Sequence, residues 1–196
     1  MISNIGTVAT AANHLAVTAE SLSYAPAFGV SAAATTLVGQ SIGAKRRDLA
    51  KRCAWTTTGI GVGIMTLGGL ALFTLAEPLL GIFSTDAEVI ALGTQVLRIV
   101  AFAEPLFGAA IVSGGALRGA GDAKAPFLIS LATMWGVRLV LSLLLYRPLG
   151  LVGVWIAMAA ELVVRGGVFL LRLRGGKWMD LALLGPEPDR QESSEA

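Results

Sequence analysis

The chain has 196 residues, of which 55% are hydrophobic and only 14% are charged, and its formal net charge is +2 at pH 7. A soluble domain carries about 25% charged residues, so this composition argues against a soluble globular enzyme and for a chain surrounded by lipid or by other helices. Basic residues lie at the ends of apolar stretches and form no stripe with exposed aromatic residues, which argues against nucleic acid as a partner. No cysteine pair or histidine cluster has metal-ligand spacing.

Apolar stretches of membrane-spanning length follow one another along the chain. A transmembrane helix needs ~20 mostly apolar residues, and the first stretch is long enough that we expect a bend at Pro26 or a tilted first turn. The polar residues 180–196 cannot bury a core and are expected to form a disordered cytoplasmic tail. The predicted spans cover approximately residues 10–42, 56–75, 89–116, 125–146 and 150–171.

Local signals mark where the predicted helices start and bend. Thr85 and Glu88 have the spacing of a capping box, in which a small hydroxyl precedes a glutamate by three residues, and this predicts the start of the third helix. Pro126 is expected in the first turn of the fourth helix, where proline is tolerated. Pro105 lies inside the third span and is expected to bend it, because proline lacks the backbone donor that a helix needs.

Two glycine pairs with a spacing of four predict sites of close helix packing. Gly59 and Gly63 fall in the second span, and Gly115 and Gly119 fall in the third. Small residues four apart lie on one face of a helix and allow a neighbouring helix to approach closely. We therefore expect both pairs to lie at helix–helix contacts.

The distribution of lysine and arginine predicts the membrane topology. Residues 43–52 contain five basic residues, whereas residues 76–88 contain none. The positive-inside rule places residues 43–52, residues 117–125 and the C-terminus in the cytoplasm. The N-terminus is then outside, an arrangement expected of a six-helix transporter repeat that lacks its first helix.

Short glycine-rich motifs occur in order along residues 7–179, and together they resemble the C-terminal lobe of the multidrug and toxin extrusion (MATE) family. The resemblance implies an all-α membrane protein, in which residues 1–179 form a bundle of about five transmembrane helices equivalent to one lobe lacking its first helix. The motifs are ESLSYAP at 20–26, ATTLVGQSIGA at 34–44, LRGAGD at 117–122, WGVRL at 135–139, GLVGVW at 150–155 and GKW at 176–178.

The resemblance also implies a function. Members of the family export organic cations and other toxic compounds by multidrug antiport, driven by inward Na⁺ or H⁺, and we expect no cofactor beyond the coupling ion. The sequence contains no catalytic triad or carboxylate pair at enzyme spacing, so we expect no enzyme activity. The expected location is the inner (plasma) membrane, as a multi-pass chain. The expected partners are the lipid bilayer and an N-terminal transporter half or a homologous chain, and we expect this chain to be inactive alone.

Two alternatives belong to other functional classes. Half of a lipid-linked-sugar flippase of the same superfamily would need several cationic residues in its cavity, and Arg138 is the only deep cation that the sequence indicates. A non-transporting membrane partner protein would bind a specific membrane protein as this short chain. The sequence leaves both open, together with the choice between Na⁺ and H⁺.

Ionisable residues inside a span are energetically costly and are therefore candidates for function. Glu20 lies well inside the first span, where its carboxylate could bind a proton or an organic cation. The structural alternative is that Glu20 bonds to a neighbouring helix or to Ser21 or Ser23. Asn13 and His14 lie nearly two turns earlier, and His14 is expected to be an interfacial histidine with satisfied hydrogen bonds.

The later spans hold three more candidates. Glu104 precedes Pro105, and a carboxylate at a helix break could coordinate a cation. Some branches of the family hold an acidic residue nearer the middle of this helix, where Phe107 stands here, so the resemblance does not carry the Na⁺ role to Glu104 directly. Arg138 in the fourth span and Glu161 in the fifth are expected to form ion pairs between helices or, for Glu161, with Arg165 one turn on.

Overall fold

The computed structural model describes residues 6–181, and nearly all of them are helical. Within this range there is no strand, so the all-α fold class is confirmed. The helices in chain order are α1 (Thr7–Gly43), α2 (Arg47–Phe83), α3 (Ala87–Ala101), α4 (Glu104–Gly119), α5 (Lys124–Thr133), a π-helical segment (Met134–Leu139), α6 (Val140–Arg174) and the single turn α7 (Trp178–Leu181).

Two helical segments are long and apolar enough, by length and composition, to cross a membrane. They are α2 and the segment Lys124–Arg174, which comprises α5, the π-helical segment and α6. The pair α3 and α4 adds a third if it is counted as one bent span. The five predicted spans overlap α1, α2, the α3–α4 pair and the two arms of Lys124–Arg174, which meet at Gly150. Helix α1 is not among the segments that length and composition identify as membrane-spanning, so the number of spans stays a prediction.

The third predicted span is broken, as Pro105 indicated. Helix α3 ends at Ala101, α4 begins at Glu104, and the two axes differ by 56°. Pro105 is the second residue of α4, where its missing N–H would have had no helical partner in any case. The break therefore places Glu104 at the start of a new helix inside the bundle.

Prolines do not end the first two helices. Helix α1 continues through Pro26 to Gly43, and α2 continues through Pro78 to Phe83. The sequence predicted that the second span ends before Glu77, but α2 extends to Phe83. A proline removes a single backbone hydrogen bond, and a long helix packed on its neighbours can continue past it.

The cap of α3 differs from the predicted one by one residue. The Oδ1 atom of Asp86, rather than the hydroxyl of Thr85, accepts hydrogen bonds from the backbone N–H groups of Glu88 (2.9 Å) and Val89 (3.4 Å). Aspartate is as good an N-cap as serine or threonine. The position of the helix start was thus predicted correctly, but the capping-box assignment to Thr85 and Glu88 was wrong.

A glycine reverses the chain within the last long segment. Gly150 has φ 55° and ψ −130°, a conformation that residues with a side chain rarely adopt. Pro148 lies just before this reversal. Pro126 lies in the first turn of α5, as predicted. The segment therefore forms two arms that pack on each other, and the first arm exposes much of its apolar surface, including Phe127 and Trp135.

Helices α1 and α4 cross at the second glycine pair. A Cβ atom added at Gly115 or Gly119 would collide with the backbone of Ser31 or Thr35. At the same crossing, the Ser31 hydroxyl donates to the carbonyl of Ile111 and the Thr35 hydroxyl donates to the carbonyl of Gly115, both at 2.9 Å. The predicted contact at this pair is confirmed.

The contact predicted for the first glycine pair was wrong. A Cβ atom at Gly59 or Gly63 would meet nothing within 4 Å. The packed face of α2 instead runs through Gly61, Met65 and Gly69, which are also four residues apart but lie on another side of the helix. The spacing of glycines identifies a helix face of small residues, but it does not show whether that face contacts another helix.

An ion pair joins the end of α6 to the connection between α4 and α5. The guanidinium of Arg172 donates to Oδ2 of the buried Asp122 from Nη2 (2.7 Å) and from Nε (3.0 Å). The buried indole of Trp178 donates to the carbonyl of Leu173 at 2.9 Å. Helix α7 includes the first two residues of the predicted tail, and the remainder of that tail lies outside the described residues.

Candidate functional site

Glu104 is completely buried at the start of α4. The hydroxyl of Ser23 in α1 donates to its Oε2 at 3.0 Å, but its Oε1 has no hydrogen-bond partner within residues 6–181. The adjacent Gly68 and Gly69 of α2 make room for this pair, because a Cβ atom would collide with the Ser23 hydroxyl at the first and lie 3.0 Å from the Cβ of Glu104 at the second. Three helices thus enclose a carboxylate with one oxygen unsatisfied.

Glu20 lies one turn before Ser23 on α1 and is 6% exposed. Its carboxylate accepts no hydrogen bond in the part of the chain that the structure describes. The expected bonds to serines are absent, because Ser21 donates to the carbonyl of Thr18 at 2.6 Å and Ser23 donates to Glu104. Glu20 is close enough to Glu104 for electrostatic repulsion and close enough to Arg138 for attraction.

Arg138 reaches the bundle from the π-helical segment. Its Nη2 atom lies 3.1 Å from the sulfur of Met158 in α6, a weak acceptor for a guanidinium. π-Helical turns are rare and occur often at functional positions. The predicted ion pair between helices is therefore replaced by a longer-range attraction to Glu20, which leaves the cation without a hydrogen-bonded carboxylate among the described residues.

Glu161 has partners that Glu104 lacks. It is 1% exposed in α6, and its Oε1 accepts from the Thr133 hydroxyl at 2.9 Å and lies 3.2 Å from Nε of Arg165. The predicted Glu161–Arg165 pair along one helix face is confirmed. Arg165 is partly buried, so Arg138 is not the only deep cation, contrary to the expectation from sequence.

Phe107 contacts residues of both α1 and α6. Its ring makes an edge-to-face contact with Tyr24 at 5.7 Å and lies 5.5 Å below the guanidinium carbon of Arg165. The family resemblance places an acidic residue at position 107. In this chain Phe107 stands there and makes a cation–π contact with Arg165.

The two polar residues near the start of α1 have separate surroundings. The side-chain oxygen of Asn13 accepts from the indole N–H of Trp155 at 3.1 Å and so joins α1 to α6. His14 is exposed, and no described residue bonds to its imidazole, although its carbonyl accepts from the Thr18 hydroxyl at 2.9 Å. The structure gives Asn13 a packing role and does not bring His14 into contact with Glu20.

Some partners of these residues could not be found from the sequence. Ser23 and Glu104 are 81 residues apart, and Thr133 and Glu161 are 28 apart. One signal in the sequence indicated a contact between the Ser23 hydroxyl and a carboxylate. Glu20 and Ser23 are three residues apart and therefore lie on one face of α1. The candidate site that results consists of two carboxylates and a hydroxyl, with one cation nearby.

Comparison with known proteins places the chain in a family. A protein-family model described as MatE matches residues 1–144. The chain belongs to the MatE family. It is 33% identical over 187 residues to the "Probable multidrug resistance protein NorM" of Thermotoga maritima, and the alignment covers 93% of this chain and 40% of that relative. The protein of the same name from Brucella suis is 31% identical over 181 residues, covering 89% of this chain and 38% of the relative.

Solved MATE structures share the fold of this MatE chain. The Vibrio cholerae MATE transporter VcmN in the bent form superimposes with a TM-score of 0.83 at 19% identity, over 92% of this chain and 42% of that one. The crystal structure of a MATE mutant gives a TM-score of 0.80 at 21% identity, over 88% and 39% respectively. The chain thus spans about two fifths of the length of the relatives it matches, and it is an integral membrane protein of this family.

Proposed function

We propose that this MatE chain is the C-terminal part of a cation-coupled multidrug efflux antiporter that works by alternating access. The names of the NorM relatives support multidrug resistance. The observation that carries the coupling is the buried Glu104 carboxylate, which has one oxygen without a partner in the described residues and repels Glu20 nearby. A buried charge that is only partly compensated is unfavourable, so this pair is suited to bind a cation.

The coupling ion would bind between Glu20 and Glu104. A Na⁺ ion or a proton at this point would neutralise one carboxylate and remove the repulsion between the two. The Ser23 hydroxyl would keep Glu104 in position, since it donates to Oε2 and leaves Oε1 free for the ion. An organic cation would compete for the same charges, and this competition is what exchange of a drug for an ion requires.

Arg138 would supply the charge that replaces the ion. Its guanidinium attracts Glu20 and has only the Met158 sulfur as a hydrogen-bond partner in the described region. When the ion leaves, movement of Arg138 toward Glu20 would keep the carboxylate compensated. Such an exchange of partners gives the two states between which a transporter alternates.

Ion binding can be tested on the purified chain in detergent. We expect Na⁺, titrated against choline at constant ionic strength, to raise the midpoint of thermal unfolding, because a ligand that binds only the folded state stabilises it. The substitutions Glu20→Gln and Glu104→Gln should each abolish the rise. Glu88→Gln, at an exposed carboxylate in the first turn of α3, is the matched control and should leave the rise unchanged.

Proton coupling has a different signature in the same experiment. In that case Na⁺ has no effect, and acidification raises the midpoint in the wild type more than in Glu104→Gln. If neither Na⁺ nor pH distinguishes the wild type from the two glutamine variants, the proposed ion site is wrong.

Transport itself is expected to need the rest of the relatives' length. The chain spans 40% of the NorM relative from Thermotoga maritima, and alternating access requires two parts that move against each other. We propose that an N-terminal half or a homologous chain supplies the other part, in the inner (plasma) membrane with the C-terminus of this chain in the cytoplasm. Drug efflux by this chain alone in a susceptible host would contradict this.

The flippase alternative gains little from the second internal cation. Arg165 is neutralised by Glu161 at 3.2 Å, so the interior still offers only Arg138 without a bonded carboxylate in the described residues. A cavity for a phosphate-linked sugar would need more uncompensated positive charge. Competition of organic cations with the coupling ion in the unfolding assay would favour the antiporter over the flippase.

A further inference from the structure

A groove with two opposite charges runs along the surface of α3 and borders α2 at Glu77. Its outer part has a volume of about 410 Å³ and is lined by Glu77, Thr94 and Arg98 among small apolar residues. A second part of about 440 Å³ shares Thr94 and Arg98 and continues to Ile99 and Phe102. We call the two parts together the α2–α3 groove. It shares no residue with the candidate ion site.

The two charges in the groove do not neutralise each other. Glu77 and Arg98 are exposed, and neither forms an ion pair within residues 6–181. Arg98 uses Nε to donate to the carbonyl of Phe73 at 3.4 Å, and its guanidinium carbon lies 5.7 Å above the ring of Phe73. These contacts fix the guanidinium while its two terminal amino groups keep their donors available.

A third polar group in the groove lacks a partner. Thr94 is 7% exposed, and its hydroxyl makes no hydrogen bond in the described part of the chain. A threonine inside a helix commonly donates back to a carbonyl of the preceding turn, as Thr66 and Thr74 do in α2. Thr94 departs from this pattern one turn before Arg98, on the same helix face.

The groups are ordered by depth from the α2–α3 connection. Glu77 lies six residues before the end of α2, or about 9 Å along the helix at 1.5 Å per residue. Arg98 lies eleven residues after the start of α3, or about 16 Å by the same measure. Phe102 follows at the far end of α3. Passing into the membrane, the groove thus presents a carboxylate, then a guanidinium, then an apolar surface.

We propose that the α2–α3 groove binds phosphatidylethanolamine, a zwitterionic phospholipid with a primary ammonium. In this lipid the ammonium lies outermost, the phosphate lies below it and the acyl chains lie deepest, which is the order of Glu77, Arg98 and Phe102. The guanidinium suits a phosphate because it can donate two parallel hydrogen bonds. The ammonium carries three donors, which a carboxylate accepts well.

This arrangement predicts a specific order of lipid preference. Phosphatidylglycerol has the phosphate but no ammonium, so it would bind Arg98 and leave Glu77 without a counter-charge. Phosphatidylcholine has a quaternary ammonium without N–H groups, so it cannot donate to the Glu77 carboxylate. Phosphatidylethanolamine satisfies both charges and should bind more tightly than either, by roughly tenfold for one charge-assisted hydrogen bond.

Native mass spectrometry of the full chain in detergent, with each lipid added in turn, tests the preference. We expect retention of phosphatidylethanolamine over the other two lipids. Glu77→Gln should remove the preference but preserve binding of phosphatidylglycerol, whereas Arg98→Gln should weaken binding of all three lipids. The matched control is Arg147→Gln, at an exposed arginine outside the groove, and it should behave as the wild type. Equal retention of the three lipids by the wild type would overturn the proposal, as would a preference that survives Glu77→Gln.

A photo-crosslinking amino acid at Ala91, which lines both parts of the groove, identifies the occupant directly in native membranes. A crosslinked product heavier by one phosphatidylethanolamine supports the proposal. A product joined to a second protein chain would overturn it, because the groove would then be a protein–protein contact. These outcomes do not depend on Glu20 or Glu104, so they are independent of the coupling-ion proposal.

Discussion

Two buried glutamates of this MatE protein differ in how far their carboxylates are satisfied. We call the surroundings of Glu161 the satisfied region, although Nε of Arg165 makes no hydrogen bond within the described residues, and the surroundings of Glu104 the unsatisfied region. Glu161, between the two arms of the last segment, accepts from Thr133 and pairs with Arg165. Glu104, between α1, α2 and α4, accepts only from Ser23 and leaves one oxygen without a partner in the described residues. Both side chains are at most 1% exposed, so burial alone does not distinguish them.

The difference between them lies in what each region can still bind. A buried carboxylate with a cation and a hydroxyl already in place holds helices together and has little to gain from a ligand. A carboxylate with one free oxygen and a second carboxylate nearby gains from an added cation. The number of internal partners therefore separates a structural glutamate from a candidate binding residue better than its depth in the membrane does.

The largest expected effect comes from breaking the satisfied region. Glu161→Leu would leave the partly buried Arg165 without its counter-charge, which destabilises a protein by about 3–5 kcal/mol. Thermal or denaturant unfolding in detergent would measure it. The double variant Glu161→Leu/Arg165→Met should recover most of the loss, because a buried ion pair can be replaced by apolar residues at little cost. A double variant as unstable as the single one would show that Glu161 has another role.

A smaller effect is expected from crowding the unsatisfied region. In Gly69→Ala the new Cβ would lie 2.6 Å from the carbonyl oxygen of Ala101 and 3.0 Å from the Cβ of Glu104, and overpacking of this kind costs about 1–3 kcal/mol. Gly63→Ala is the matched control in the same helix, since its Cβ would meet nothing within 4 Å. Equal unfolding midpoints for the two variants would mean that the contact at the helix break is not rigid.

The hydrogen bond to Glu104 is expected to contribute less. Ser23→Ala removes the one donor to this carboxylate among the described residues, and the stability should fall by about 1–2 kcal/mol. Ser21→Ala removes a hydroxyl that bonds only within its own helix and should change stability by less than about 0.5 kcal/mol. The comparison of the two serine variants in one unfolding assay isolates the contact between helices.

The smallest effect on stability is expected from neutralising the unsatisfied glutamate. Glu104→Gln keeps an acceptor for Ser23 and removes the repulsion with Glu20, so the unfolding free energy should change by less than about 1 kcal/mol, in either direction. The same substitution should abolish the response to the coupling ion described above. Strong destabilisation by Glu104→Gln would place this residue with Glu161 as a structural group.

Patterns within one helix were predictable, and contacts between distant segments were not. Pro105 indicated the bend of the third span, and the spacing of Glu161 and Arg165 indicated their pair, because both effects act within a turn or two of helix. Ser23 and Glu104 meet only because α1 crosses α4 at the glycine and serine contacts. The helical continuation of α2 through Pro78 was also missed, since it depends on packing that the local sequence does not contain.

The break between α3 and α4 also places a partial helix charge beside each of two charged side chains. At the break, α3 presents the partial negative charge of its C-terminus, and α4, which begins at the buried Glu104, presents the partial positive charge of its N-terminus. Arg98 lies in the last turn of α3 and Glu104 in the first turn of α4, so each end carries a side chain of the opposite sign. The same bend thus links the exposed Arg98 to the buried Glu104, and a change in the charge of either residue would alter its electrostatic interaction with the adjacent helix end.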